Sequence, residues 1–252
     1  MNRGRAAACG LVLVAGATTV SACESTADKS ARIAAEGKKA VQASATLKIK
    51  PSADLRVARA VVVRGEGGAV AAAVEVRNRG GAAQRDVPVL IDVRDAKGGS
   101  LYKNDQVGLQ PALQRLASVG ARRTAWWVND QVTTAAAPRR VTARVGAAPA
   151  AAPGSVPNVS VSGLHWEHDA TGRYMTGTVV NPVARVLKDI PIFAVGLKGS
   201  KVVAAGRALV PTLPAKGTKK KVVFRLFFVG DPRGARVQLT IAPNAAPPSS
   251  PS

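Results

Sequence analysis

Cysteine and histidine are nearly absent from this 252-residue chain, which has two of each. That excludes a zinc ribbon, an iron–sulfur cluster and a disulfide scaffold. Aromatics are scarce as well, at 4% of residues, so any core must be built mainly from Val, Leu, Ile and Ala. Acidic side chains number 15 against 36 Lys and Arg, which leaves a formal charge of +21. No apolar run reaches the roughly 20 residues that a membrane-spanning helix needs. What is present is 46% hydrophobic and 20% charged residues, with 24 Gly and 16 Pro. This is the composition of a folding chain, not of a disordered polyelectrolyte. Its length suits one or two domains.

Arg3 and Arg5 precede an uncharged apolar stretch from Ala6 to Val20. A charged n-region followed by a short h-region predicts a secretory signal peptide over 1–22. The stretch ends in Val20-Ser21-Ala22-Cys23, which resembles the lipobox of bacterial lipoproteins. The resemblance implies recognition of Val20, Ser21 and Ala22, transfer of a diacylglyceryl group to the Cys23 thiol, and cleavage just before it. The expected location is the extracytoplasmic face of the cell membrane, with membrane lipid as a partner through Cys23. Two acyl chains suffice for stable anchoring, whereas one binds only marginally. Cys9 would leave with the peptide, so the mature chain could form no internal disulfide. The alternative is plain secretion with cleavage near Ala22, which leaves an odd thiol.

Residues 23–46 are polar and Ala-rich, with alternating charges and only Ile33 and Val41 as large apolar side chains. They read as a lipidated tether of marginal helicity. From Leu47 the chemistry changes to β-branched runs broken by turn signals. Arg56 to Arg64, Gly65-Glu66-Gly67-Gly68 and Ala69 to Asn78 predict a hairpin. Further strands are expected at Val87–Asp95, Ser100–Tyr102, Arg122–Val128 and Arg140–Val145. Gly146 to Asn158 carries three prolines and no charge, the composition of a semi-rigid linker. Strands resume at Val159–Trp166, Arg173–Asn181, Asp189–Leu197, Lys201–Val210, Lys219–Val229 and Ala235–Ile241. Regular spacing without a crossover helix predicts an all-β protein with two tandem immunoglobulin-like β-sandwich domains. The expected boundaries are 47–146 and 158–242, joined by a linker over 147–157 and followed by a disordered tail over 243–252.

The second half repeats the first. Val76-x-Asn78 followed by Asp86-Val87-Pro88-Val89 matches Val179-x-Asn181 followed by Asp189-Ile190-Pro191-Ile192, at a constant spacing of 103 residues. Proline lacks a donor, so Pro88 and Pro191 predict an edge strand or a bulge. Asn78 and Asn181 are expected to close the preceding strands through turn conformations. This pattern, with Gly177-x-Val179-x-Asn181 its fullest form, resembles the FxLYD-type and CARDB-like β-sandwich modules of bacterial envelope proteins. Asp92, Asp95 and Gly98 continue the likeness in the first copy, whereas Val195 and Lys198 replace the two acids in the second. The resemblance implies an adhesive, spacer or accessory element.

Catalytic signals are weak. In His165-Trp166-Glu167-His168 the two histidines are three apart on a strand, hence on opposite faces, which argues against a metal site. Asp95-Ala96-Lys97-Gly98 reads as a β-turn rather than a calcium loop, which needs carboxylates at alternate positions. Gly65-x-Gly67-Gly68 lacks the Lys-Ser/Thr of a phosphate loop. No catalytic constellation, metal site or cofactor is expected. Strand alternation puts one of Trp126 and Trp127 in the core and the other at least partly in solvent; a sugar platform or contact residue is the functional reading, and core or domain-interface packing is the expected one. Phe224, Leu226 and Phe228 are expected to face the core from the central strand of a sheet.

The charge excess is evenly spread, at 17 basic against eight acidic residues over 47–146 and 13 against four over 155–242. Even spread argues against a nucleic-acid groove. It suits either a solvated surface or attraction to anionic headgroups and acidic cell-wall polymer. The candidate polyanion-binding residues are the triplet Lys219, Lys220 and Lys221 and the pairs Arg122-Arg123 and Arg139-Arg140. The expected function is a non-enzymatic, surface-exposed envelope binding or accessory lipoprotein, with another envelope protein as a further candidate partner. The alternative is a carbohydrate- or substrate-binding lipoprotein serving a transporter or secreted enzyme.

Overall fold

The computed structural model describes residues 49–106, 108–149, 156–170, 172–219 and 221–243. The signal peptide, Val20 to Cys23, the tether, Lys220, Gly154-Ser155 of the linker and the tail beyond Pro243 lie outside them. Residues 44–252 form a compact unit of their own.

The protein is all-β. The first half runs β1 (Leu55–Arg64), β2 (Val70–Asn78), β3 (Gln84–Arg94), β4 (Ser100–Lys103), β5 (Arg115–Val119), β6 (Thr124–Asn129) and β7 (Arg140–Val145). The second runs β8 (Ser160–Asp169), β9 (Gly172–Val180), β10 (Leu187–Lys198), β11 (Lys201–Leu213), β12 (Val222–Phe227), β13 (Val229–Gly230) and β14 (Arg236–Ile241). Every pairing is antiparallel. The first half stacks the sheet β1-β2-β6 on a sheet centred on β3, which has β4 and β5 along one side and β7 along the other. The second repeats this order with β8-β9-β12 and with β10 between β11 and β14. Among the described residues no helix is long and apolar enough to cross a membrane.

The predicted hairpin forms in register from Leu55 opposite Asn78 to Arg64 opposite Val70. Its turn needs left-handed backbone at Gly67 and Gly68, at φ of 62° and 81°, which glycine adopts without a Cβ penalty. The strand β5 went unpredicted: it has only five residues, behind a proline-containing 3-10 turn at Pro111–Leu113. One continuous β11 in the second half corresponds to β4 and β5 in the first. The excursion between those two strands interrupts the ladder of β3. Asn104, fully buried, mends it: its Oδ1 accepts from the Ile91 N–H at 2.8 Å, and its Nδ2 donates to the Val89 and Leu113 carbonyls.

The repeat is structural as well as sequential. Asn78 Nδ2 donates to the carbonyls of Ala82, Val119 and Gly120, and its Oδ1 accepts from the Gly80 N–H. Asn181 Nδ2 donates to Arg185, Leu213 and Pro214, and its Oδ1 accepts from the Val183 N–H. The two asparagines therefore close their strands as side-chain plugs and not through an unusual backbone conformation. The positive φ belongs instead to Asp86 and Asp189, both at 50°.

Pro88 and Pro191 lie in β3 and β10, the central strands of their sheets, and not on edges. Each precedes the first residue that pairs with the second neighbour, Val89 with Val145 and Ile192 with Ile241. The Pro88 carbonyl accepts from Gly146 N–H at 3.0 Å, and the missing donor faces the same way, past the end of the ladder. Conversely β12 is an edge strand, with β9 central, although Phe224 and Leu226 are buried as expected and Phe228 packs against the same core.

The two halves share a core. Ile190, Ile192 and Ala194 of β10 face the interior of the second sandwich, while Phe193, Val195 and Leu197 join a cluster with residues of β1, β2 and β6. Strand β10 is thus buried on both faces, and so is β2, whose Ala71, Ala72 and Ala73 are fully covered. A two-sided strand reads as a continuous apolar run instead of an alternating one, which explains both sequences. Trp127 fills the first sandwich, its Nε1 donating to the Ala112 carbonyl at 2.8 Å. Trp126 points the other way into the junction, donating through Nε1 to Gln238 and through its backbone N–H to Thr240 Oγ1. Both rings are buried, at 4% and 0% exposure, so neither reaches solvent as alternation alone had suggested. Around the rim, Arg207 is nine-tenths enclosed and bonds Asp130 and Gln110, and Arg59 reaches the Ser200 carbonyl. At Gly230, φ 86°, a Cβ would collide with the Val203 carbonyl and with Val63, so only glycine lets the halves approach there.

Candidate functional site

Three surfaces gather functional side chains. The first is the corner where β2 ends at Asn78. The asparagine plug ties the loop after β2 to the β5–β6 turn, and further backbone bonds secure it: Arg79 N–H to Asp54 at 2.9 Å and Arg122 N–H to Gly80 at 3.1 Å. Arg122 stands at φ 54°. Arg77, Arg79 and Arg122 surround a pocket of about 370 Å³ whose fourth wall is Asn78. Arg123 is exposed beside them. None of these four guanidinium groups has an ion pair or side-chain hydrogen bond among the described residues.

The same corner of the second half is built alike, with Lys216 N–H bonded to the Val183 carbonyl at 2.8 Å. It leads into the lysine triplet, where Lys219 and Lys221 are exposed. Arg122-Arg123 and the described members of the triplet, Lys219 and Lys221, therefore occupy equivalent loops of the repeat. Arg139-Arg140 does not join them. Arg140 pairs with Arg94 at the far end of β3, ten residues from the Gln84 end, or about 33 Å at 3.3 Å per residue. Sequence reasoning missed Arg77 and Arg79, because isolated basic residues on alternate positions carry no local charge signal. Only the loop that bears Arg122 brings them together.

The second surface is the outer face of β8-β9-β12. His165 Nε2 meets Glu167 Oε1 at 2.9 Å and its Nδ1 lies 2.8 Å from the Gly163 carbonyl. Tyr174 Oη donates to Glu167 Oε2 at 2.7 Å, and the Arg225 guanidinium lies 4.9 Å above the Tyr174 ring and 3.3 Å from Asp169. Phe227 packs against Tyr174, with centroids 5.3 Å apart. His168 falls on the opposite face, as a spacing of three on a strand requires. The Gly163 carbonyl and then Glu167 raise the His165 pKa. Hydrogen bonds from Tyr174 and His165 in turn hold the Glu167 carboxyl low. Apolar side chains flank this network, with Val223 at 62% exposure. Among the described residues no three His, Cys, Asp or Glu side chains converge as a metal would require.

The third is a cleft of about 370 Å³ at the junction of the halves, where the equivalent residues Asp86 and Asp189 face a floor that includes Ala117, Pro191 and Leu209. Arg115 closes on Asp86 at 2.8 Å, so its one lining cation is already neutralised. Of the three surfaces, only the arginine corner offers unneutralised charge around a concave space. Comparison with known protein families and with curated proteins returns no match.

Proposed function

We propose that the chain is a lipid-anchored envelope binding or accessory module, non-enzymatic, held to the membrane through Cys23 and contacting anionic surfaces through its basic corners. The observation that carries this reading is the distribution of free charge. Among the described residues many acidic side chains are engaged with cations, including Asp86, Asp92, Asp130 and Asp231. The exposed cations at Arg77, Arg79, Arg122 and Lys219 are left to the solvent field. Unpaired cations attract polyanions in proportion to their local density, and the attraction is screened over about 10 Å at 0.1 M salt.

Anchoring is tested with the full chain: Cys23→Ala should abolish incorporation of labelled lipid and detergent partitioning. A wild-type chain found wholly in the medium would refute it. The charge reading is tested by vesicle binding of residues 44–252 at rising salt, which should weaken steeply, and Lys219→Glu with Lys220→Glu and Lys221→Glu should reduce it. A second reading, capture of a carbohydrate or other small substrate for a transporter or secreted enzyme, is favoured by the His165–Glu167–Tyr174–Arg225 network beside Phe227, in which His165, Glu167 and Arg225 are exposed and Tyr174 is buried beneath them. Saccharide binding lost in Tyr174→Phe and Phe227→Ala would select it.

A further inference from the structure

We infer that the pocket of Arg77, Arg79 and Arg122 is a binding site for the phosphate of an anionic lipid headgroup. The inference rests on the membrane-anchored reading above and assigns it a site. Three arginines line one concavity, and neither a carboxylate nor another described side chain neutralises their guanidinium groups. Like charges held together repel unless an anion is shared, and the guanidinium fork matches phosphate oxygens bidentately. The fourth wall cannot compete for the anion as a donor, because Asn78 spends its whole amide on the plug. Asp54 is packed against Gly80 and bonds the corner through its backbone carbonyl.

The backbone is preorganised for this arrangement. Arg79 and Arg122 are each fixed by a main-chain hydrogen bond, and Arg122 occupies a left-handed conformation that non-glycine residues rarely adopt. The repeat supplies an internal control. At a spacing of 103, Arg77 and Arg79 correspond to Val180 and Pro182, and Arg122 corresponds to Lys216 by its backbone bond. The same plug and the same turn thus form without arginine, so the fold itself does not require these three side chains. Lipid is assigned over other phosphates because the anchored reading holds the chain at an anionic surface, where headgroup phosphates are dense.

The test uses residues 44–252, which form a compact unit, and vesicles of phosphatidylcholine with 30% phosphatidylglycerol on the order of physiological surface charge. Arg77→Gln, Arg79→Gln and Arg122→Asn together should lower the partition coefficient about a hundredfold, from the contribution of each cation at an anionic surface. Lys216→Gln, Lys219→Gln and Lys221→Gln remove the same charge from the equivalent corner, which on this inference does not seat the headgroup and feels only a screened surface potential, and should lower it about tenfold or less. Thermal unfolding of both triple variants should match the parent, since none of the six side chains supports the core. Equal losses in the two triples would overturn the site while leaving the basic-surface reading intact. No binding by the parent at low salt would overturn both. Tighter capture of soluble glycerol-phosphate polymer than of vesicles, lost with the arginines, would also overturn the lipid assignment.

Discussion

The sheets β3 and β10 occupy the same place in the two halves, and comparing their outward faces shows how one sequence pattern serves two surroundings. Position by position, Pro88, Leu90, Asp92 and Arg94 correspond to Pro191, Phe193, Val195 and Leu197. In β3 this face meets solvent, and Asp92 is held by Arg94 at 2.6 Å and by Ser100 at 2.7 Å. Burial would raise the Asp92 pKa, but the bonds from Ser100 and Arg94 outweigh it and keep the carboxyl low. In β10 the same face lies against β1, β2 and β6 of the other half, and every charge has been replaced by an apolar side chain. A β-sandwich tolerates either choice; what decides between them is whether another layer covers the strand. The face of β1-β2-β6 likewise carries Ala71, Ala73 and Trp126 beneath its partner, while on the matching face of β8-β9-β12 Val223 is exposed and Tyr174 is covered by Arg225 and Phe227 of its own sheet.

The comparison breaks most sharply on exchanging the paired residues. Val195→Asp places an unpaired carboxylate in the junction and should cost about 5 kcal/mol, enough to unfold a domain of ordinary stability. Its mirror, Asp92→Val, loses only a part-exposed pair and should stay within about 1 kcal/mol. Guanidinium denaturation of the two variants should differ accordingly, and equal midpoints would mean that the halves do not share a core. Next in size, Trp126→Ala should cost about 3–4 kcal/mol by cavity formation and loss of the Gln238 bond, whereas Val223→Ala at the equivalent exposed position should stay within about 0.5 kcal/mol.

The asparagine plugs should behave alike where the faces differ. Asn78→Ala and Asn181→Ala each strand several buried carbonyls and one N–H, and each should cost about 2 kcal/mol. A large inequality would show that one copy closes its strand by other means. The smallest effect is at the open face. The His165 midpoint should lie above its ordinary value of 6.5, and Glu167→Gln should bring it down. Because the folded value is raised, any stability from this histidine is present below the ordinary value and fades as pH rises through the folded one. A ring so exposed should leave the unfolding midpoint almost unchanged, so nuclear magnetic resonance titration is the measurement that registers it.

Much of the fold was legible before the structure. The hairpin of β1 and β2 followed from β-branched runs around four turn residues, and β7 was placed to the residue, at Arg140–Val145. Such local signals need no partner to be read. The central position of Pro88 and Pro191 was not legible, because a missing N–H argues for an edge unless one knows where the second neighbour stops. For Trp126 core or interface packing was expected, but alternation assigns a side chain to a face without saying what lies across it, and only the structure supplies the second half as its cover. Of the candidate basic residues, Arg122-Arg123 and the lysine triplet proved equivalent only once the backbone bonds to Gly80 and Val183 were visible.

By itself, then, the sequence determined the strands, the 103-residue repeat and the basic excess, because periodicity, turn chemistry and charge are properties of neighbouring residues. Tertiary structure alone decided which faces are covered and which cations converge. Burial of β2 and β10 on both sides, and the meeting of Arg77 and Arg79 with Arg122 across 43 residues of chain from Arg79, depend on layers and turns brought together by the shared core. Contacts of that range leave no periodic trace in the chain, since the residues that make them are specified by packing and not by spacing.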